Sequence, residues 1–128
     1  MTVIIKDGDI LWRDEEQIAE IRRMANAFGA VLQERRRQES LKAAGKFAYS
    51  CADAELSDLG FLAVLAEEFG EVAHEVNELI GRPEKRTLEH IRRMHAECIQ
   101  VAAVAVARAE LYQREIDAAD GAFTPESA

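Results

Sequence analysis

The residues with most capacity for chemistry lie in the stretch Leu62-Ala-Val-Leu-Ala-Glu-Glu-Phe-Gly-Glu-Val-Ala-His-Glu-Val-Asn-Glu78. At about 100° per residue, Leu65, Phe69, Val72, Val76 and Leu79 form one core-facing helical row. On the same wheel Glu68, Glu71 and Glu75 fall within roughly 60° of one another, along one edge of that row. Like charges at these spacings repel, by a few tenths of a kcal/mol per pair in an isolated helix. A partly buried carboxylate cluster persists only when protons, basic groups or cations neutralise it. Hard divalent cations are the natural partners of all-oxygen ligands. A solvated acidic face is the plainer alternative, and a second segment decides between the two.

That segment is Cys98-Ile-Gln-Val-Ala-Ala-Val-Ala-Val-Ala107, apolar on every face apart from Gln100. A helix apolar all round is a central one, packed by neighbours on most sides. Glu97 and Gln100 therefore enter the interior or its edge, three residues apart on one face. An ionised carboxylate there needs a cation or a proton. Arg92, Arg93 and Arg108 are the local candidates for pairing Glu97. Two helices that each offer inward carboxylates make a metal site shared by Glu68, Glu71 and Glu97 the stronger expectation.

Glu67-Glu68-Phe-Gly-Glu71, followed by a helix bearing Glu97-Cys-Ile-Gln100, resembles the MazG-like branch of the all-α nucleoside triphosphate pyrophosphohydrolases. That family holds Mg²⁺ with an E-E-x-x-E helix and an E-x-x-D helix. Upstream, Glu34-Arg-Arg-Arg-Gln38 and Lys46-Phe47 resemble the first-helix segment of its small phage and bacterial members. The resemblance covers roughly residues 30–112. It departs at Gln100, where the family pattern has Asp; a glutamine carbonyl still ligates a hard cation but adds no negative charge.

The resemblance implies hydrolysis of a nucleoside triphosphate to its monophosphate and pyrophosphate. In that chemistry cations clamp the phosphates and acidify a bound water. Glu68 and Glu71 are then metal ligands, Glu97 completes the site from the facing helix, and Gln100 is a neutral ligand or anchor. Glu67, beside them, binds a second ion or orients the attacking water. Gln38, Lys46 and Phe47 are candidates for nucleotide contact. The implied metal is Mg²⁺, with Mn²⁺ as the alternative. The rival reading is a helical module that binds a nucleotide or protein without turnover, and Gln100 is the feature that favours it.

The elements that must position these residues follow from periodicity and punctuation. Thr2 to Trp12 reads as a short hairpin around Asp7-Gly8, an arm over residues 1–13 whose Ile4, Ile10 and Trp12 dock on helices or on another subunit. Asp14 with Gln17 resembles a capping box opening a helix that runs to about Ala44, with Gly45 as its stop. Ser57 or Asp53 caps the acidic helix, and Gly81-Arg82-Pro83 ends it. A final helix spans about 84–118, and residues 119–128 form a polar, flexible tail around Asp120-Gly121 and Thr124-Pro125.

The expected fold is all-α: one domain over residues 1–128, an antiparallel bundle of long helices. Three helices of one chain do not cover a helix apolar all round, so a homodimer or tetramer is expected to complete the bundle.

Composition narrows the function classes. The 128 residues fit one domain with a real core, and the net charge of −8 argues against binding a nucleic-acid polymer. Bound Mg²⁺ reverses the sign of a site locally, so a nucleotide remains compatible. Arg22, Arg23, Arg35, Arg36 and Arg37 make a basic strip that serves solubility or phosphate contact equally well. Cys51 and Cys98 make no disulfide framework, and Cys98 reads as a small core residue. No apolar run suggests a signal peptide or a membrane span, so the chain reads as cytoplasmic.

Glu71-Val-Ala-His74 is half of a di-iron motif, but the final helix supplies no second half. No pair of histidines or cysteines has zinc-ligand spacing. His74, His90 and His95 therefore read as solvated surface histidines.

Overall fold

The structure, a computed structural model, describes residues 2–6 and 9–122. Strands β1 (Thr2–Lys6) and β2 (Asp9–Arg13) pair antiparallel, from Thr2 opposite Arg13 to Lys6 opposite Asp9. The Asp7-Gly8 turn and the docking of Ile4, Ile10 and Trp12 lie outside the described residues and side chains. The other regular elements are helical: α1 (Glu15–Ala43), α2 (Asp58–Asn77), a single 3-10 turn at Pro83–Lys85 and α3 (Leu88–Ala122). Among the described residues, no helix is long and apolar enough to cross a membrane.

By Cα packing the chain divides at Ala30, into residues 1–30 and residues 31–128. In the first part the Asp14 carboxylate accepts the Gln17 N–H at 2.8 Å, the expected cap of α1. Ile21, Met24 and Phe28, the apolar stripe of this half of α1, are all exposed.

In the second part α1 ends at a paired backbone stop. Gly45 takes a positive φ of 78°, which an L side chain rarely adopts. Its N–H donates to the Lys42 carbonyl and the Lys46 N–H to the Leu41 carbonyl, each at 2.9 Å. These are the two bonds of a Schellman motif.

Ser57 caps α2, accepting the Gly60 N–H at 3.0 Å. The α2 helix stops at Asn77, and a turn carries the chain to Gly81, also at positive φ. Pro83 opens the short 3-10 turn rather than the last helix, which starts only at Leu88, where the Thr87 hydroxyl accepts the His90 N–H. At its other end α3 continues through Asp120 and Gly121 to Ala122, so the first part of the expected tail is helix. Residues 123–128 lie outside the described part.

Helices α2 and α3 run antiparallel: Asp58 meets Arg108 and Tyr112, and Glu75 meets His90 and Arg93. One guanidinium fixes their joint. Arg108, 3% exposed, donates to the carbonyls of Leu56, Cys51 and Asp53 and, at 2.5 Å, to the Asp58 carboxylate. It also lies over the rings of Phe61 and Tyr112, at 5.4 and 5.3 Å. Buried Arg35 likewise ties α1 to α3 through Glu110, and bonds Gln38 and Glu39 along its own helix.

The core is small. Its buried apolar members are Ala52, Ala103, Val104, Ala107 and Leu111, and no large side chain is fully enclosed among the described residues. Three expectations are corrected here. The segment 98–107 of α3 buries one face, through Ala103, Val104 and Ala107, rather than all of them, and Cys98 is exposed. In α2 Phe69 and Val76 of the presumed core row face solvent, while Glu68 and Glu75 are half-buried. The packed face of α2, which keeps Leu65, Val72 and Leu79 half-buried, is thus rotated towards its carboxylate edge, where Glu75 meets His90 and Arg93 of α3. His90 is buried rather than solvated: its Nε2–H donates to the Glu75 carbonyl at 2.8 Å and its Nδ1 accepts from Arg93.

Candidate metal centre and its adjoining cavity

The antiparallel pairing of α2 and α3 sets Glu68 and Glu71 opposite Glu97. One carboxylate oxygen from each lies within 4.8 Å of the others. Glu68 and Glu97 are half-buried, and each has a buried Oε2 with no hydrogen-bond partner. Buried acceptors without donors are rare and costly. Among the described residues no arginine pairs with Glu97: Arg93 is bound to Glu75 and Glu89, and Arg108 to Asp58.

The electrostatics follow from that isolation. Burial, then the charges of Glu71, Glu97 and Glu67, push the Glu68 carboxyl above its ordinary value. Burial, then Glu71 and Glu75, push up Glu97. Both shifts disfavour the ionised form, the condition that a divalent cation reverses. The orphaned oxygens and the all-carboxylate donor set fit a hard cation such as Mg²⁺ or Mn²⁺. Glu67 is exposed and lies outside this triad, although its charge reaches Glu68.

Beside the triad opens a cavity of about 340 Å³, and Glu68 belongs to both. Gln38, Phe47 and Gln100 line it, whereas Lys46 is exposed and outside the lining. Phe47 is accompanied by Tyr49, both about half exposed. Leu56, Val64 and Val104 supply the apolar wall, with Arg37, Ser50 and Cys51 completing the lining.

Sequence reasoning missed Tyr49, Ser50 and Cys51, and singled out Arg37 only as one of a strip of arginines. Arg37 carried one usable signal, its three-residue spacing from Glu34. The two form a bidentate pair at 2.8 and 2.7 Å, and Arg37, opposed by burial and helped by Gln100, holds the Glu34 carboxyl below its ordinary value. Gln100 therefore faces Glu34 and the cavity as well as the neighbourhood of Glu68.

A web of loop contacts holds the cavity's third wall. The Asp53 carboxylate accepts from the Ser50 N–H and from Lys42, and the Ser50 hydroxyl donates to Glu39. Arg114 bonds the Ala52 carbonyl. The periodicity-free connector after Gly45 is thus an ordered structure whose bonds run to side chains.

Comparison with protein-family models, with curated proteins and with solved structures gives no match for this chain.

Proposed function

We propose that the chain hydrolyses a nucleoside triphosphate to the monophosphate and pyrophosphate, with Mg²⁺ or Mn²⁺ held by Glu68, Glu71 and Glu97. The observation that carries this reading is the pair of partnerless buried oxygens on Glu68 and Glu97, in a triad that shares Glu68 with a cavity edged by aromatic rings. When bound, such a cation neutralises phosphate oxygens and acidifies water. The chain's own residues do the rest. The cavity takes the nucleoside, with Phe47 and Tyr49 offering stacking faces and Gln38 an amide. Arg37, whose fork is bound to Glu34, brings its remaining terminal N–H groups to the cavity for a phosphate oxygen. Glu67, exposed beside the triad, orients the water whose oxygen attacks the α-phosphorus as the bond to the β-phosphate oxygen breaks. Lys46, on the exposed side, is a supplementary contact for the outer phosphates.

The similarity of Glu67, Glu68, Glu71 and Glu97 to the acidic pattern of MazG-like enzymes supports the same reading. The alternative, a binding module without turnover, is favoured by Gln100, which lines the cavity and brings no charge to the site. The proposal includes a homodimer or tetramer, since the single chain encloses no large side chain among its described residues.

Incubation of the pure protein with a panel of ribo- and deoxyribonucleoside triphosphates and Mg²⁺ or Mn²⁺, assayed for pyrophosphate, tests the enzyme reading. Release from one or more of them is expected. If wild type is silent and Gln100→Asp is active, the module reading holds; silence from both refutes the chemistry.

A further inference from the structure

The outward face of α2 has a repeat of its own. Leu59, Leu62, Ala66, Phe69, Ala73 and Val76 follow one another at alternating spacings of three and four, the a/d pattern of a coiled-coil seam, with Ile80 in the turn just beyond the helix. Leu59 is 76% exposed, Phe69 67% and Ile80 71%, with Leu62 and Val76 also open. Beside the seam stand Ala63, Gly70 and Asn77 on one side and Asp58, Leu65 and Val72 on the other, so Asp58, already held by Arg108, is the one charge along it on a chain that is 31% charged. Two molecules of net charge −8 can meet here without opposed carboxylates. No bulky neighbour guards the middle: a Cβ built on Gly70 meets nothing within 4 Å.

We infer that this face is the seam of a homodimer in which α2 packs antiparallel on α2 of a second copy. The occupant and its direction follow from the residue sizes. A parallel pair sets like against like, Ala66 on Ala66 and Phe69 on Phe69, alternating holes with crowding. An antiparallel pair sets a against d: Leu59 meets Val76, Leu62 meets Ala73, and Ala66 meets Phe69. Every alanine then receives a large side chain, the interdigitation that dense packing requires. The arrangement also sets the N-terminus of each helix beside the C-terminus of the other, which favours opposed macrodipoles. The small core supplies independent motive, since the chain alone encloses no large apolar side chain among its described residues.

The inference rests on the homodimer in the proposed function and narrows it to one face; its readouts use no nucleotide, so it fails separately from the catalytic reading. Sedimentation of the full chain at micromolar concentration is expected to give twice 14.3 kDa. Phe69→Glu is expected to weaken association by on the order of 100-fold while circular dichroism stays helical. Phe28→Glu, on the exposed stripe of α1, is the control and is expected to leave the dimer intact.

Orientation is read separately. A spin label at Leu59→Cys, with Cys51→Ser and Cys98→Ser, reports on the two copies of position 59. The antiparallel register sets them roughly 17 residues apart along the seam, about 25 Å at the helical rise. A 14.3 kDa wild type overturns both dimer and seam. A dimer split by Phe28→Glu but not by Phe69→Glu overturns the seam, and labels closer than about 15 Å overturn its direction.

Discussion

Two groups of carboxylates sit at different levels of the α2–α3 pair. Near the α2 N-terminus Asp58 is gripped by Arg108 and Tyr112, and those bonds hold its carboxyl below the ordinary value. In the middle of the pair Glu68 and Glu97 face each other and Glu71, and burial and repulsion drive their values up. The same residue types, on the same two helices, are satisfied in one place and left wanting in the other. Folding accounts for the first group. The second costs stability in the isolated chain, a cost that the proposed cation would remove.

The comparison breaks most sharply at turnover. Glu68→Gln keeps size and hydrogen bonding but removes one metal-site charge, and is expected to lower pyrophosphate release by about 100-fold or more with the fold intact. Retained activity would move the chemistry elsewhere on the chain. The Arg108 end should behave oppositely. Arg108→Ala strands three carbonyls and a carboxylate, and is expected to cost about 2–4 kcal/mol in urea unfolding. A loss under about 0.5 kcal/mol would show that the end is pinned by packing alone.

Metal linkage is a subtler discriminator. Mn²⁺ should raise the melting temperature of wild type and leave Glu71→Ala unmoved, because only the complete triad binds the ion in the folded state. Without metal, Glu71→Ala should be more stable than wild type by a few tenths of a kcal/mol, through relief of repulsion. Equal responses to Mn²⁺ would count against the triad.

The smallest effect is on pH dependence, and its sign differs between the two groups. Glu68 and Glu97 are raised on folding, so the folded state keeps protons that the unfolded chain releases. Their contribution is full below the ordinary carboxylate range and is lost as pH rises through their raised values. Asp53 and Asp58 are lowered, by Lys42 and Arg108 first, so their contribution is present above that range and fades as pH falls through their lowered values. In metal-free protein Glu68→Gln should therefore flatten the decline of stability with rising pH and leave the acid limb unchanged. A mutant that instead flattens the acid limb would reverse the assignment.

Much of the helical framework was legible because its punctuation is chemical. Asp14, Ser57, Gly45 and Gly81 act through a side-chain acceptor or a positive φ, both properties of the residue itself. The facing of α2 was not legible. Its apolar residues cover a wide arc, and periodicity does not say which part of it meets α3; of the expected core row Leu65, Val72 and Leu79 are half-buried, whereas Phe69 and Val76 are exposed. For the site, Glu68, Glu71 and Glu97 were readable as carboxylates on packed helices. The loop wall of the cavity was hidden, since it is placed by bonds across elements: Lys42 donates to Asp53, the Ser50 hydroxyl donates to Glu39, and Arg108 donates to the Cys51 carbonyl. His90 was misread for the same reason: a backbone carbonyl at Glu75 shelters it, and carbonyls leave no trace in the sequence.

Three carbonyls of one loop, those of Cys51, Asp53 and Leu56, hang on the single guanidinium of Arg108. A segment whose carbonyls share one donor, and which Lys42, Glu39 and Arg114 brace as well, does not fray residue by residue; it lets go together. Amides of the loop should therefore exchange with solvent deuterium as one cooperative unit, with a common opening free energy below that of α3. Because Ser50, Cys51 and Leu56 also wall the cavity, each opening event would unmake that wall as a whole, and a bound occupant would slow the exchange of the entire segment at once.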